Sequence, residues 1–393
     1  MKTKSLFILT ATSLLFAGCA QNEIMEQNPD AKRAIGFGVY TGVQTRGLVT
    51  DNSDTDGSTV NGLKVAGKGF GIQAYLTQAD YATTLSPKAQ FMDNQQVTWN
   101  ASSTPGAWTY SPVKFWPAST TEKISFFAYA PYSSTGGTHG ITLTHATTTA
   151  DPILNFALQA NQKDMVDLVV SEAKTGDNGT INQTKSTSTT AVGFNFKHVL
   201  SRVAMKAKTD ADLTASGNLT KVFITAVSIE HTSKLNSKAD LNMYSRSWQA
   251  SADYLAASYA LDGYTSNGIL DFKSQTFGNY TNTAAIDIST NKDGVALFPS
   301  NEYLFLIPVN GATGTASEGD VSVKITYDIV SKASTASAEI SSTTDTKTAK
   351  LPAGTLAQGN AYVYTFTIGL NEIKVDVTAV EGWTDTAQSA TVQ

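Results

Sequence analysis

Short stretches in which apolar and polar residues alternate recur along the whole chain. In the clearest of them, Val321, Val323 and Ile325 alternate with Ser322 and Lys324. A period of two is typical of a β-strand with one face in water. Similar patterns predict strands at residues 70–76, 91–99, 108–115, 124–129, 166–170, 192–196, 202–208, 221–230, 303–309, 321–330, 362–370 and 373–377. One weak pattern, at residues 252–261, indicates a short helix, and the chain as a whole is predicted to be all-β.

The first predicted strand, at residues 34–43, has bulky side chains on one side only. Ile35, Phe37 and Val39 alternate with Gly36 and Gly38, so one face is apolar and the other has almost no side chain. Such a strand can pack in one orientation only. A polar tether at residues 20–33 precedes it, and a turn-forming polar stretch at residues 51–57 comes after it.

The division into domains is predicted from length and local composition. A chain of 393 residues is long enough for two ordinary domains. Residues 176–190, in which Thr, Ser, Gly and Asn dominate, have the lowest complexity of the chain and mark the expected boundary. We therefore predict two β-sandwich domains, at residues 47–190 and 191–393.

The leader contains the single cysteine, and its pattern predicts export. Lys2 and Lys4 precede a short apolar run at residues 5–16, and Cys19 follows Ala17 and Gly18. This order resembles a bacterial lipoprotein signal peptide of residues 1–18, after whose removal an acylated Cys19 becomes the first residue. The alternative is an ordinary secretory leader that happens to end near a cysteine. Because the body has no further cysteine, disulfides cannot stabilise it.

Composition argues against several classes of function. The formal net charge is -5, only 16% of the residues are charged, and the body has no run of lysine or arginine, so a nucleic-acid partner is not expected. The four histidines are not in a metal-binding spacing: His139, His145, His198 and His231. We therefore expect neither a metal nor another cofactor.

Candidate catalytic groups have simpler interpretations. His198 and Ser201 lack the Gly-x-Ser-x-Gly turn that would mark a hydrolase nucleophile, so His198 is predicted to be a strand-edge or packing residue. Asp164 and Asp167 are expected to cap a turn rather than to act as acid and base. A calcium-like stretch at residues 52–57 has Leu63 where a bidentate glutamate would stand, which favours a solvated loop. No enzymatic activity is predicted.

One group of aromatic residues has two interpretations. They could form a platform on which sugars stack, but alternation favours a place in the core. The group consists of Tyr110, Phe115, Trp116, Phe126, Phe127 and Tyr129.

Several short segments, in order along the chain, resemble the fimbrillin family of Bacteroidia, also called Mfa-like proteins or type V pilins. They are the segments at residues 113–117, 124–131, 167–170, 196–203 and 359–364, with a late tryptophan at Trp383. The resemblance implies two transthyretin-like β-sandwich domains in tandem, in a subunit of an adhesive cell-surface fimbria. It also implies a lipid-anchored precursor at the outer membrane, and other pilin subunits as partners.

The resemblance further implies maturation by an arginine-specific protease. The cut would fall between Arg46 and Gly47 and would remove residues 19–46, which include the first strand. Loss of a strand exposes unpaired backbone groups along an apolar groove, which a strand of another subunit can fill. Lys32 and Arg33 are competing basic sites, but a cut there would leave the first strand in place.

In family members that form filaments, the donor of the replacing strand is a C-terminal segment. In this chain Ile373, Val375 and Val377 alternate with polar residues and have the right pattern to replace the first strand. A second hypothesis is a monomeric surface lipoprotein that binds glycans through exposed aromatic residues such as Trp99, Trp108 or Trp248. Arg46, placed directly after a detachable strand, favours the pilin, because a glycan-binding lipoprotein has no need of it.

Overall fold

The computed structural model describes residues 33–40, 63–64, 68–81, 88–119, 121–134, 136–309, 316–369, 373–381 and 388–390. Cys19, Arg46 and Gly47 lie outside these ranges. The described residues form strands joined by turns, together with short 3-10 helices at Thr138–Gly140, Gln162–Asp164, Tyr264–Ser266 and Ile288–Thr290. The prediction of an all-β protein is confirmed.

The strands are numbered in chain order. The first eleven are β1 Phe37–Tyr40, β2 Phe70–Thr77, β3 Ala89–Asn100, β4 Ala107–Thr109, β5 Lys123–Ala130, β6 Ile141–Thr144, β7 Ile153–Ala157, β8 Val169–Ser171, β9 Val192–His198, β10 Ser201–Thr209 and β11 Thr220–His231. The others are β12 Lys238–Asn242, β13 Ser247–Trp248, β14 Ser258–Leu261, β15 Lys273–Phe277, β16 Tyr280–Asp287, β17 Val295–Ala296, β18 Leu304–Leu306, β19 Val321–Lys332, β20 Ile340–Lys350, β21 Asn360–Ile368, β22 Ile373–Glu381 and β23 Gln388–Ala390.

The first sheet has the strand order β1-β9-β8-β5-β2-β3-β4. Its central strands β2 and β5 are buried on both faces, which explains their nearly continuous apolar sequences. Along β5, Ile124, Phe126 and Ala128 pack into one hydrophobic cluster, whereas Phe127 and Tyr129 pack into another. The first sheet is therefore the middle layer between two cores.

The second core is shared by residues from both halves of the chain. A four-stranded sheet of order β13-β12-β7-β6 combines strands from residues 141–157 with strands from residues 238–248. The two further sheets have the orders β17-β10-β21-β22-β23, with β18 also paired to β10, and β15-β16-β11-β19-β20, with β14 also paired to β11. All of them contribute side chains to the same hydrophobic cluster as Phe127.

The segment predicted as the domain boundary, residues 176–190, packs against the first sheet. The N–H of Ile124 donates to the carbonyl of Gln183 at 2.8 Å, and the N–H of Phe126 donates to the carbonyl of Thr180 at 2.7 Å. Strand β9, which follows the predicted boundary, still belongs to the first sheet. The chain therefore leaves the first sheet between His198 and Ser201, later than the composition indicated.

Two other local predictions differ from the structure. Residues 252–261 form no helix and end in strand β14, so that prediction is wrong. The predicted strand at residues 108–115 stops at Thr109, with Pro112 in the part that is not a strand. Proline lacks the N–H that a sheet requires, which accounts for the early end.

Candidate functional site

Strand β1 lies at the edge of the first sheet and pairs in parallel with β9. The paired residues run from Phe37 opposite Val192 to Tyr40 opposite Asn195. Just before this ladder, the N–H of Val192 donates to the carbonyl of Gly36 at 2.9 Å. One backbone edge of β1 is therefore used by β9.

The opposite backbone edge of the same segment is used as well. The N–H of Ile35 donates to the carbonyl of Lys114 at 2.9 Å, and the N–H of Trp116 donates to the carbonyl of Arg33 at 3.0 Å. The hydroxyl of Tyr110 donates to the carbonyl of Ile35 at 2.8 Å. The segment is thus paired with β9 over residues 36–40 and with residues 114–116 at Arg33 and Ile35.

The side chains of this segment fill an apolar groove. Ile35 is 2% exposed and Phe37 is 6% exposed, and Val39 packs against the same hydrophobic cluster. The ring centroid of Phe37 lies 5.1 Å from that of Tyr110, 5.6 Å from that of Phe194 and 5.8 Å from that of Phe126. The three residues point inward, as the alternation predicted, and we call their site the β1 groove.

Arg33 has a structural role that the sequence did not indicate. Its Nη2 atom donates to the carbonyl of Lys185, and to the carbonyl of Ser188 at 2.5 Å. Its guanidinium carbon lies 5.8 Å from the ring centroid of Trp116. A trypsin-like protease must take the arginine side chain into its own pocket, and this side chain is already bound within the fold. We therefore expect Arg33 to be a poor cleavage site for such a protease in the folded protein.

The candidate donor strand, β22, is paired within its own sheet. It pairs with β21 along its full length, from Ile368 opposite Ile373 to Asn360 opposite Glu381. On its other side Val377 lies opposite Ala390 of β23. Ile373 and Val375 are half-buried, Val377 is buried, and the first two line a cavity of about 310 Å³ together with Ala349 and Pro352.

Comparison with known proteins places this architecture in a family. The family model described as fimbrillin-like matches residues 59–383. The chain belongs to the fimbrillin-like family. It is 38% identical to the fimbrium subunit Fim1C of Phocaeicola vulgatus over 99% of this chain and 98% of that protein. It is also similar to a crystal structure of a fimbrial protein from Bacteroides vulgatus, with a TM-score of 0.72 and 32% identity over 90% of this chain and 100% of that one.

The candidate catalytic groups of this fimbrillin-like protein are engaged in structural contacts. The Nδ1 atom of His198 lies 2.9 Å from Oδ2 of the buried Asp167, which joins β9 to the segment before β8. The hydroxyl of Ser201 donates to the carbonyl of Ala357 at 2.6 Å. Asp164 lies at the end of a 3-10 turn and accepts a hydrogen bond from Asn161 at 2.9 Å. These contacts hold strands and turns together.

The part of the chain that the structure describes contains neither a metal-binding cluster nor a membrane-spanning helix. There, no group of three or more His, Cys, Asp or Glu side chains is arranged around a common point that could hold a metal ion. Within the same residues, no helix has the length and apolar character needed to cross a membrane.

The aromatic residues are mostly core. Trp116, Phe126, Phe127 and Tyr129 are buried, as alternation predicted, whereas Phe115 is exposed. Of the tryptophans suggested for glycan binding, Trp248 is fully buried and its indole N–H donates to the carbonyl of Val199 at 2.8 Å, so that suggestion is wrong. Trp99 and Trp108 are half-buried and contact each other, with ring centroids 5.2 Å apart.

Replacing Phe37 with alanine should destabilise the fimbrillin-like protein by about 3–5 kcal/mol, the cost of truncating a buried aromatic residue. Phe37 contacts three rings at once, so little rearrangement can fill the cavity. The measurement is chemical unfolding of the whole protein, followed by tryptophan fluorescence.

The control is Gly38→Ala in the same strand. A methyl group added at Gly38 would have only the Cβ of Ala191 as a neighbour, at 4.0 Å, so stability should change by less than about 1 kcal/mol. Equal effects of the two substitutions would show that the strand does not depend on the β1 groove for its position.

Proposed function

We propose that this protein is a structural subunit of a cell-surface fimbria that serves adhesion. Membership in the fimbrillin-like family and the similarity to a fimbrium subunit support this role. The observation that carries it furthest is the β1 groove, an apolar site filled by Ile35, Phe37 and Val39 in a segment that pairs with β9 and, at its start, with residues 114–116. A groove of this kind can accept a strand from another molecule.

We propose that the precursor is a lipoprotein of the outer membrane, anchored through Cys19. Acyl chains contribute about 0.8 kcal/mol per buried methylene, so two or three of them hold a protein firmly. An arginine-specific protease then cuts between Arg46 and Gly47. After the cut, β1 is held only by the contacts described above and can be displaced.

We propose further that a strand from another fimbrial subunit replaces β1. Ile373, Val375 and Val377 are the candidate residues for filling the groove in place of Ile35, Phe37 and Val39. Because β22 is paired on both sides within its own sheet, it must first separate from β21 and β23 before it can donate. On this proposal, assembly replaces the pairing of β22 with β21 and β23 by its pairing in the β1 groove of another subunit.

Mass spectrometry of fibres sheared from the cell surface tests this proposal. The expected N-terminal residue of the fibre protein is Gly47, whereas the membrane precursor should begin at an acylated Cys19. Cys19→Ala is the matched control, and that variant should leave the membrane fraction and appear in soluble or periplasmic fractions.

Two results would count against the proposal. Fibre protein that retains residues 34–45 would exclude removal of β1 before assembly. A Cys19→Ala precursor that still fractionates with the outer membrane would exclude the lipid anchor.

A further inference from the structure

The contacts of Arg33 form a small cation-binding site at the end of the β1 groove. Two backbone carbonyls, those of Lys185 and Ser188, accept hydrogen bonds from its guanidinium, and the indole of Trp116 lies beside it. Carbonyl oxygens carry partial negative charge, and an indole face attracts cations. We call this arrangement of two carbonyls and an indole the Arg33 seat.

The seat is held in shape by contacts that do not involve Arg33. The N–H of Ser188 donates to the carbonyl of Thr184 at 3.1 Å, and the N–H of Thr184 donates to the hydroxyl of Thr187 at 2.9 Å. The N–H of Asn178 donates to the carbonyl of Thr187 at 2.9 Å. These bonds stabilise the turn that contains Lys185 and Ser188 without any contribution from Arg33, so the seat should keep its shape when residues 33–40 leave.

The indole of Trp116 is also held by a contact that does not involve Arg33, although the backbone N–H of Trp116 donates to the Arg33 carbonyl at 3.0 Å. It is buried, and its ring centroid lies 6.0 Å from that of Phe126 in an edge-on contact. Phe126 belongs to β5, in the middle of the first sheet. Departure of Arg33 would therefore leave the carbonyls and the indole in place without a cation.

We propose, on the basis of the strand exchange above, that the Arg33 seat recognises an arginine or lysine side chain on the strand that replaces β1. In the segment at residues 33–40 this side chain stands two positions before Ile35, the first residue that fills the groove. A replacing strand that runs in the same direction carries its basic residue two positions before its own first groove-filling residue. A strand in the opposite direction carries it two positions after its last one.

The C-terminal strand of a second copy of this chain does not meet this requirement. If Ile373 takes the place of Ile35, Asn371 falls at the seat. If the strand runs in the opposite direction, Val377 takes the place of Ile35 and Ala379 falls at the seat. In a polymer of this chain alone the seat would therefore hold no basic side chain, and a fimbrial subunit with a basic residue at this position should bind more tightly.

Synthetic peptides and the protease-cut full chain test the seat. A labelled peptide of residues 31–45 should enter the cut protein, and its Arg33→Met form should bind about tenfold to a hundredfold more weakly, because it lacks a charged hydrogen-bonding group. The Arg33→Lys peptide should bind with intermediate affinity. The matched control is a Lys32→Ala peptide, which removes a neighbouring positive charge and should bind like the unaltered one. Equal losses from Arg33→Met and Lys32→Ala would overturn the proposal, since they would indicate unspecific attraction.

A second pair of peptides tests the seat by gain of affinity. The peptide of residues 369–381 should bind about tenfold or more tightly to the cut protein when it carries Asn371→Arg or, for the opposite direction, Ala379→Arg. No gain from either substitution would overturn the proposal.

The experiment distinguishes between the absence of strand exchange and the absence of basic side-chain recognition by the Arg33 seat. If no peptide enters the cut protein, including the unaltered one, strand exchange itself is excluded. The seat is then tested in the uncut chain, where Arg33→Met should speed hydrogen exchange at the amides of Ile35 and Trp116 about tenfold or more. Unchanged exchange at both amides would show that the seat does not hold a basic side chain firmly.

Discussion

Replacing Arg46 with alanine should abolish polymer formation and leave the melting temperature of the precursor nearly unchanged. Without a cut, residues 33–40 remain covalently joined to the rest of the chain and keep their backbone pairs with β9 and, at Arg33 and Ile35, with residues 114–116. A strand from another subunit then competes with one whose effective concentration is very high. Size-exclusion chromatography before and after protease treatment measures the result.

A second substitution at the same position sharpens this test. Arg46→Lys should also prevent assembly with an arginine-specific protease, but trypsin, which accepts lysine, should restore it. Lys32→Ala removes another basic residue before β1 and should polymerise normally. Polymers that form at the normal rate from the Arg46→Ala precursor would refute activation by cutting at this site.

Strands with a clear period of two could be predicted from the sequence, whereas strands with polar faces could not. Strand β19 has alternating buried and half-buried residues along most of its length, and its prediction was confirmed. Its neighbour β20 consists largely of Ser, Thr and Lys with mostly exposed side chains, so no apolar period marks it. Pairing with β19 along eleven residue pairs determines its structure instead. Its pairing with β19, and not a local sequence pattern, therefore makes β20 a strand.

The low-complexity segment shows why composition is an incomplete guide to domain boundaries. Residues 176–190 look like a linker, yet Thr180 and Gln183 are buried. The side-chain amide of Gln183 donates to the carbonyls of Gly176 and Ile181, and the hydroxyl of Thr180 donates to the carbonyl of Glu172. Buried polar side chains are tolerated when they are hydrogen-bonded. A segment of polar composition can therefore pack into the fold when its buried side chains are hydrogen-bonded, as those of Thr180 and Gln183 are.

For the β1 groove, alternation predicted which side chains point inward but not how the strand is held. Ile35, Phe37 and Val39 follow directly from the sequence. The hydroxyl of Tyr110 meets a carbonyl 75 positions away in the chain, and the guanidinium of Arg33 meets a carbonyl 152 positions away. No local pattern contains such long-range contacts, which depend on the folded sheet. The hydrogen bonds of the Arg33 guanidinium are therefore visible only in the folded structure.

Replacing Val375 with aspartate should prevent cut subunits from donating a strand. If β22 is the donor, Val375 takes the central position of the groove, where Phe37 now contacts three aromatic rings. An unpaired carboxylate buried there costs several kcal/mol. A slip by one residue does not help, because it would place the exposed Lys374 and Asp376 in the groove. The matched control is Lys374→Asp, which alters the exposed face of the same strand and should polymerise.

The same substitution also acts inside the subunit, so folding must be separated from donation. Val375 packs against the second core and lies opposite Phe366 in β21, so Val375→Asp should lower the stability of the monomer as well. Melting of the cut monomer identifies a variant that has simply unfolded. A folded Val375→Asp subunit keeps an intact β1 groove and should still accept a strand from an unaltered subunit. Added in small amounts to unaltered subunits, it should therefore end growing polymers and shorten them. A folded variant that polymerises normally by itself would exclude β22 as the donor.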